Sequence, residues 1–155
     1  MTSAPLVSVI VVNYNAGALL VDCVGAVLGS SDAAEIIVSD NGSTDGSLAL
    51  LRAAWPDEPR LTILENRANL GFAKANNRAL PLAHAEHLLF LNPDCLVEPG
   101  TLARMAAFMD SRPDVGLAGC LVLDPDGTEQ VACRRTIPDP WIALKRLLHL
   151  DGLIP

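Results

Sequence analysis

Three short runs in this chain are apolar with almost no alternation, and each stops in a polar turn. They are Leu6-Val7-Ser8-Val9-Ile10-Val11-Val12, Glu35-Ile36-Ile37-Val38-Ser39 and Leu88-Leu89-Phe90-Leu91. Runs of this kind read as strands buried on both faces, as at the centre of a parallel sheet covered by helices. Parallel neighbours need long crossovers, so the intervening segments have to be helical. The spacing of Leu19, Leu20, Cys23, Val24 and Val27 predicts a helix over 18–28. A second helix is expected over 46–54, where Ser43 or Thr44 can cap it, and a third over 72–82, with Phe72, Ala75, Ala79 and Leu82 on one side. A further strand is expected over 60–65.

Beyond the Leu88 run, Glu98-Pro99 opens another helix, with Leu102, Met105, Ala106 and Met109 on one face. Segments 115–123 and 128–133 flank Asp124-Pro125-Asp126-Gly127, which reads as a β-hairpin. Strands alternating with helices imply right-handed βαβ units. The expected fold is α/β, a mixed, mostly parallel sheet with helices on both faces and the hairpin as its antiparallel part.

A chain of 155 residues suits one domain with a real core, and one domain over 1–155 is expected. Half the residues are hydrophobic and 19% are charged, which excludes a disordered chain. No apolar run approaches the ~20 residues of a membrane span. Met1-Thr2-Ser3-Ala4-Pro5 lacks a basic leader region, so a cytoplasmic protein is expected. The net charge of −7 disfavours nucleic acid as a partner.

The tail over 134–155 is different, with Arg134, Arg135, Lys145 and Arg146 against Asp139 and Asp151. Trp141, Leu144, Leu147 and Leu148 form an apolar stripe at helical spacing there, most simply a packed helix, and also suited to peripheral contact with an anionic membrane face. Cys23, Cys95, Cys120 and Cys133 are irregularly spaced, and His84, His87 and His149 share no motif. Buried free thiols and structural or surface histidines are expected rather than a zinc site.

Parallel topology brings the carboxyl ends of the strands to one edge, where ligands of open α/β sheets bind. Three polar turns fall there: Asn13-Tyr14-Asn15, the loop Asp40-Asn41-Gly42-Ser43-Thr44-Asp45, and Asn92-Pro93-Asp94. A nucleotide needs a stacking surface, acceptors for base N–H groups and a counter-charge for its phosphates. Tyr14, Asp40 and a divalent cation on Asp94 match these needs in turn. Neither a G-x-x-x-x-G-K-[ST] loop nor a G-x-G-x-x-G after the first strand is present, which leaves Mg²⁺ or Mn²⁺ as the natural counter-charge. Asp40, Asp45 and Asp94 also suit plain turn and helix capping, and both readings stand at this point.

Four ordered motifs carry a resemblance. Val9-Ile10-Val11-Val12-Asn13-Tyr14-Asn15, Ile36-Ile37-Val38-Ser39-Asp40-Asn41-Gly42-Ser43-Thr44-Asp45, the segment from Glu65 through Asn69-Leu70-Gly71-Phe72-Ala73-Lys74-Ala75-Asn76-Asn77, and Leu89-Phe90-Leu91-Asn92-Pro93-Asp94 resemble the inverting family 2 glycosyltransferases. The Leu-Asn-Pro-Asp form is similar to the rhamnosyltransferase-like branch.

The resemblance implies a GT-A, Rossmann-like nucleotide-diphospho-sugar transferase fold. It implies a UDP- or dTDP-sugar donor, a glycan or lipid-linked acceptor, and a role in cell-surface polysaccharide synthesis at the inner face of the membrane. Carried onto this chain, Tyr14 lies against the base and Asp40 bonds it, with Asn13, Asn15, Asn41 and Ser43 beside them. Asn69, Gly71, Lys74 and Asn77 belong to the donor-supporting loop and helix, and Asn92 and Asp94 to the metal motif, Asp94 holding Mg²⁺ or Mn²⁺. The family's acidic general base lies in sequence with no counterpart before Pro155, so no catalytic residue is assigned. The alternative is a non-catalytic module that binds a nucleotide-sugar, a membrane or a partner.

Overall fold

The computed structural model describes residues 5–30, 34–131 and 133. It comprises two compact units, Met1–Ala118 and Gly119–Pro155. The first contains β1 (Val7–Asn13), α1 (Leu19–Gly29), β2 (Ala34–Asp40), α2 (Ser47–Ala54), β3 (Leu61–Glu65), α3 (Phe72–Ala79), β4 (His87–Leu91) and α4 (Thr101–Ser111). The sheet has the order β3-β2-β1-β4, and all three strand pairs are parallel.

Two of the three apolar runs become the central strands β1 and β2, because both of their faces are covered, whereas the run over 88–91, also expected to be buried on both faces, lies in β4 at the end of the described sheet with Leu88 and Phe90 exposed. On one face Val9, Val11, Ile36 and Val38 pack with Leu20 and Val24 of α1, Leu51 of α2 and Leu102 of α4. On the other, Ile10 and Ile37 pack with Ala79 of α3 and with Leu80, Leu82 and Ala83 just after it. Steps from β1 to β3 run one way across the sheet, and the step from β3 to β4 returns past β1. Right-handed crossovers made in opposite directions put their helices on opposite faces. The order therefore reverses between β1 and β4, the place where such sheets open a crevice.

Three local expectations need correction. The sequence pattern carries α3 to Leu82, but the α-helix ends at Ala79 and a 3₁₀ turn, Leu80–Leu82, follows with Pro81 in its first positions. Proline has no N–H to donate, so the α-helical ladder cannot run through it. The helix expected from Glu98-Pro99 begins at Thr101, after Gly100 at φ 77°. Segments 115–123 and 128–133 form no strand among the described residues. One antiparallel bridge, Leu123 with Glu129, flanks the Asp124–Gly127 turn, and the four-stranded sheet is wholly parallel. Val131 is 94% exposed and Leu117 86%, so these apolar residues lack the covered face that makes a strand worth forming.

At the amino edge, the buried Ser8 donates its hydroxyl to Glu35 Oε1 at 2.5 Å and accepts the Ala85 N–H at 2.9 Å. His84 donates its N–H to the same Glu35 oxygen, and its ring meets Oε2 at 2.9 Å. His87 pairs with Asp110 at 2.8 Å, so both of these histidines are structural, whereas His149 lies outside the described residues.

Burial alone would push the Glu35 carboxyl up, but the Ser8 and His84 hydrogen bonds outweigh it and hold the group below its ordinary range. A carboxyl depressed in the folded state contributes stability at neutral pH and loses it as pH falls through the folded value. Glu35→Gln is expected to cost about 1–2 kcal/mol at pH 7. Urea unfolding of both proteins should show that gap closing below about pH 4. A gap independent of pH would refute the assignment.

Candidate functional site

All four strands end at one edge. Asn13 pairs in register with Asp40, Asp40 with Glu65, and Val11 with Leu91. The Asn92–Asp94 turn therefore leaves β4 near the end of β1, on the far side of β1 from the Asp40 loop. Helices α1, α2 and α3 follow strands that end here, so their amino termini, with unpaired N–H groups and positive dipole ends, begin at the same edge.

The polar residues at this edge divide into a buried scaffold and an exposed rim. Asn13 is fully buried, and its Nδ2 donates to Asp40 Oδ1 at 2.8 Å, Ser47 Oγ at 2.9 Å and Ser43 Oγ at 3.0 Å. Asp40 is 3% exposed, and its Oδ2 accepts the N–H groups of Gly42 and Ser43 at 3.0 and 3.1 Å. Buried Asn41 accepts from Asn66, which also donates to Ser39 Oγ. Ser39 Oγ in turn donates to the Ala75 carbonyl of α3 at 3.0 Å. The chain from β1 to α3 is thus one hydrogen-bonded unit. Asn66 went unselected in the sequence reading; its place directly after the β3 run was the available signal.

A second set of bonds ties the β1 turn to the β2 loop. Asn15, at φ 55°, donates its N–H to Ser43 Oγ and accepts the Thr44 N–H on Oδ1. Asp45 accepts from Gly17 at 2.7 Å and from the Ser47 N–H at 3.0 Å, and the Ser47 hydroxyl above all, then these two N–H groups, hold its carboxyl below the usual range. Gly42 is forced by crowding. At φ 78°, a Cβ there would lie 2.9 Å from Ala68 N and 3.1 Å from Ala68 Cα.

The rim holds the groups free to meet a ligand. Tyr14 is 52% exposed at the tip of the β1 turn. Asn69 turns the chain into α3, accepting the Gly71 N–H at 2.9 Å, and Lys74 and Asn77 are exposed three residues apart along that helix. Asn92 and Asp94 are exposed on the β4 turn. Asp94 makes no ion pair among the described residues; the Cys95 thiol approaches it at 3.8 Å. The turn is braced from behind, because the Asn92 carbonyl accepts the Cys95 N–H at 3.1 Å and the Cys23 thiol of α1 at 3.5 Å. Burial, with Cys95 and Asp94 adding, pushes the Cys23 thiol up to about 12, so it stays a neutral donor.

No group of three or more His, Cys, Asp or Glu able to hold a metal occurs among the described residues. The donor set nevertheless fits one kind of cation. A hard divalent ion such as Mg²⁺ keeps waters and substrate phosphate oxygens and needs only one or two protein carboxylates. Asp94, exposed and without a cationic partner, is such a carboxylate, with Asn92 beside it.

In the second unit, Asp126 accepts both the N–H and the hydroxyl of Thr128, and Asp124 closes the turn through its backbone. The Asp126 carboxylate is a turn former, and that of Asp124 meets Gln130 Nε2 at 3.5 Å. The basic tail and its apolar stripe lie outside the described residues. Among the described residues, no helix is long and apolar enough to cross a membrane.

Comparison with known proteins places the chain. The family model described as glycosyl transferase family 2 matches residues 8–149. Succinoglycan biosynthesis protein ExoU of Rhizobium meliloti (strain 1021) is 33% identical over 99 residues, which cover 64% of this chain and 29% of that protein. S. aureus TarS 1-349, solved in complex with UDP-GlcNAc, superposes with a TM-score of 0.61 at 29% identity, over 69% of this chain and 32% of that one. The mannosyltransferase PcManGT from Pyrobaculum calidifontis, solved with GDP-Man and Mn²⁺, gives 0.63 at 30% identity, over 70% and 33%. The chain thus spans about a third of the length of each of these relatives.

Proposed function

This chain belongs to glycosyl transferase family 2, and on that premise we propose that its carboxyl-edge crevice holds a nucleoside-diphosphate sugar for transfer to a glycan or lipid-linked acceptor. The observation that carries the reading is the placement of an exposed Tyr14 and an exposed Asp94, without an ion pair among the described residues, on either side of the β1/β4 reversal. Tyr14 offers a face for the base. Asp40, buried beneath the rim, spends about three of its four acceptor positions on Asn13, Gly42 and Ser43, so its part is to set the loop beside the base, with at most one acceptor position left toward a base N–H. The amino terminus of α3, with Lys74 in its first turn and Asn69, Gly71 and Asn77 around it, faces the negative diphosphate.

Asp94, with Asn92, would hold Mg²⁺ or Mn²⁺ on that diphosphate, and the cation would neutralise charge developing on the leaving group. The Leu91-Asn92-Pro93-Asp94 form favours the rhamnosyltransferase-like branch, and with it inversion at the anomeric carbon. ExoU, a succinoglycan biosynthesis protein, supports a place in cell-surface polysaccharide synthesis.

Titration with UDP- and dTDP-sugars, with and without Mn²⁺, tests the reading by calorimetry. Binding that strengthens with the metal is expected; absence of binding to every nucleotide-sugar sinks it. A second reading, a donor-binding module without transferase activity, is favoured by one observation. Asp126 is committed to its own turn, where the hydroxyl and N–H of Thr128 hold its carboxyl below the usual range and make it a poor general base. Sugar transfer by the chain, assayed directly, separates the two.

A further inference from the structure

The cysteines, irregularly spaced in sequence, sort into two neighbourhoods in the fold. Cys23 and Cys95 share the Asn92 carbonyl behind the β4 turn. Cys120 and Cys133, with Gly119 and Leu121, line an open cavity of about 230 Å³ within the second unit. All four thiols are free, but against the expectation of burial only Cys23 is buried, Cys95 and Cys133 being half-buried and Cys120 exposed.

Around Cys133 the backbone pairing runs out and the sulfur takes over. Asp124 N–H reaches the Thr128 carbonyl at 2.8 Å, and Gln130 N–H reaches Val122 at 2.9 Å. The chain then folds back, Cys133 N–H bonding Gln130 at 2.8 Å. In place of the next backbone acceptor, Cys133 Sγ accepts the Val122 N–H at 3.2 Å and approaches the Cys120 carbonyl at 3.6 Å. The sulfur is thereby held against the backbone of residues 120–122, within a side chain's reach of the exposed Cys120.

We propose that Cys120 and Cys133 are a reversible thiol pair that closes to an intramolecular disulfide by exchange with a small disulfide oxidant. One thiol, as its thiolate, attacks the oxidant and expels half of it as a thiol, forming a mixed disulfide. The second then attacks the protein sulfur of that mixed disulfide and expels the other half. Two protein thiols are oxidised, the oxidant's sulfurs are reduced, and both protons leave with them. The open cavity gives the oxidant access to both sulfurs. Two thiols with no third ligand among the described residues make a poor metal site, which favours the disulfide over a thiophilic ion. Cys23 stands apart, fully buried and held as a neutral thiol.

The experiment equilibrates the full chain with oxidised glutathione. The thiol titre of the denatured product should fall from four to two, and the intact mass should drop by two hydrogens. Peptide mapping should join Cys120 to Cys133, and dithiothreitol should restore all four thiols. Cys120→Ser and Cys133→Ser should each lose the bridge and retain a glutathione adduct on the remaining sulfur, with the thermal midpoint of the reduced Cys120→Ser protein unchanged. A bridge to Cys23 or Cys95, a lasting glutathione adduct on the unmutated chain, or thiols released by a chelator instead of a reductant would overturn the proposal.

Discussion

Replacing Asp94 with Ala is expected to abolish the Mn²⁺-dependent part of donor binding and to lower sugar transfer about 10²–10³-fold, the several kcal/mol that a phosphate-bound cation supplies. The size of the effect follows from isolation. Asp94 shares its turn with the uncharged Asn92, and no group of three or more His, Cys, Asp or Glu able to hold a metal exists among the described residues to replace the lost ligand. Fold stability should hardly move, because Asp94 is exposed and, among the described residues, its side chain makes no ion pair and meets the Cys95 thiol only at 3.8 Å. The contrast makes the test clean. Calorimetry with a UDP- or dTDP-sugar, run with and without Mn²⁺, should give the same affinity for the variant in both conditions. Unchanged binding in Mn²⁺ would move the metal anchor elsewhere.

Gly42→Ala should produce the largest loss of stability of any single methyl addition at this edge. A left-handed φ costs a non-glycine residue about 1–2 kcal/mol. A Cβ at 2.9 Å from Ala68 N and 3.2 Å from Arg67 C adds overpacking against backbone, which cannot swing away as a side chain would. Together these predict about 2–4 kcal/mol. Gly46→Ala is the control, since Gly46 has φ 83° and nothing within 4 Å of its added methyl. It should cost only the conformational part. Urea unfolding of both variants separates the contributions, and equal losses would show that the Ala68 contact carries no energy. Gly42→Ala should also weaken nucleotide binding, because a displaced residue 68 pulls on Asn66 and through it on Asn41 and Ser39.

The elements most readable in the sequence are those whose signal is a whole buried surface. The Val9–Val11 and Ile36–Val38 runs announce central strands because every position has to be apolar when both faces are covered. Phe90 shows where that rule weakens. It sits in an equally apolar run, yet β4 is the last strand of the described sheet and Phe90 is 46% exposed. Composition alone cannot tell a central strand from a terminal one.

The turn residues were legible as a group but not in their separate roles. Asn13 and Tyr14 are adjacent and both polar, yet one is fully buried and the other half exposed. The difference depends on Ser43 and Ser47, 30 and 34 residues away. The hairpin over 115–133 misled for the opposite reason. Asp124-Pro125-Asp126-Gly127 is a sound turn, but a turn makes strands only where the flanking side chains find something to pack on.

The clasp of Asn13, Asn15 and Gly17 onto Ser43, Ser47, Thr44 and Asp45 fixes the loops at the carboxyl edge with the protein's own hydrogen bonds. Their conformational entropy is consequently lost on folding and not again on ligand capture. Association should follow a single kinetic phase, and the heat-capacity change should match the apolar area the ligand covers, with no added component from loop ordering. On such a surface affinity is set by how long the ligand stays; its arrival waits on no rearrangement of these loops.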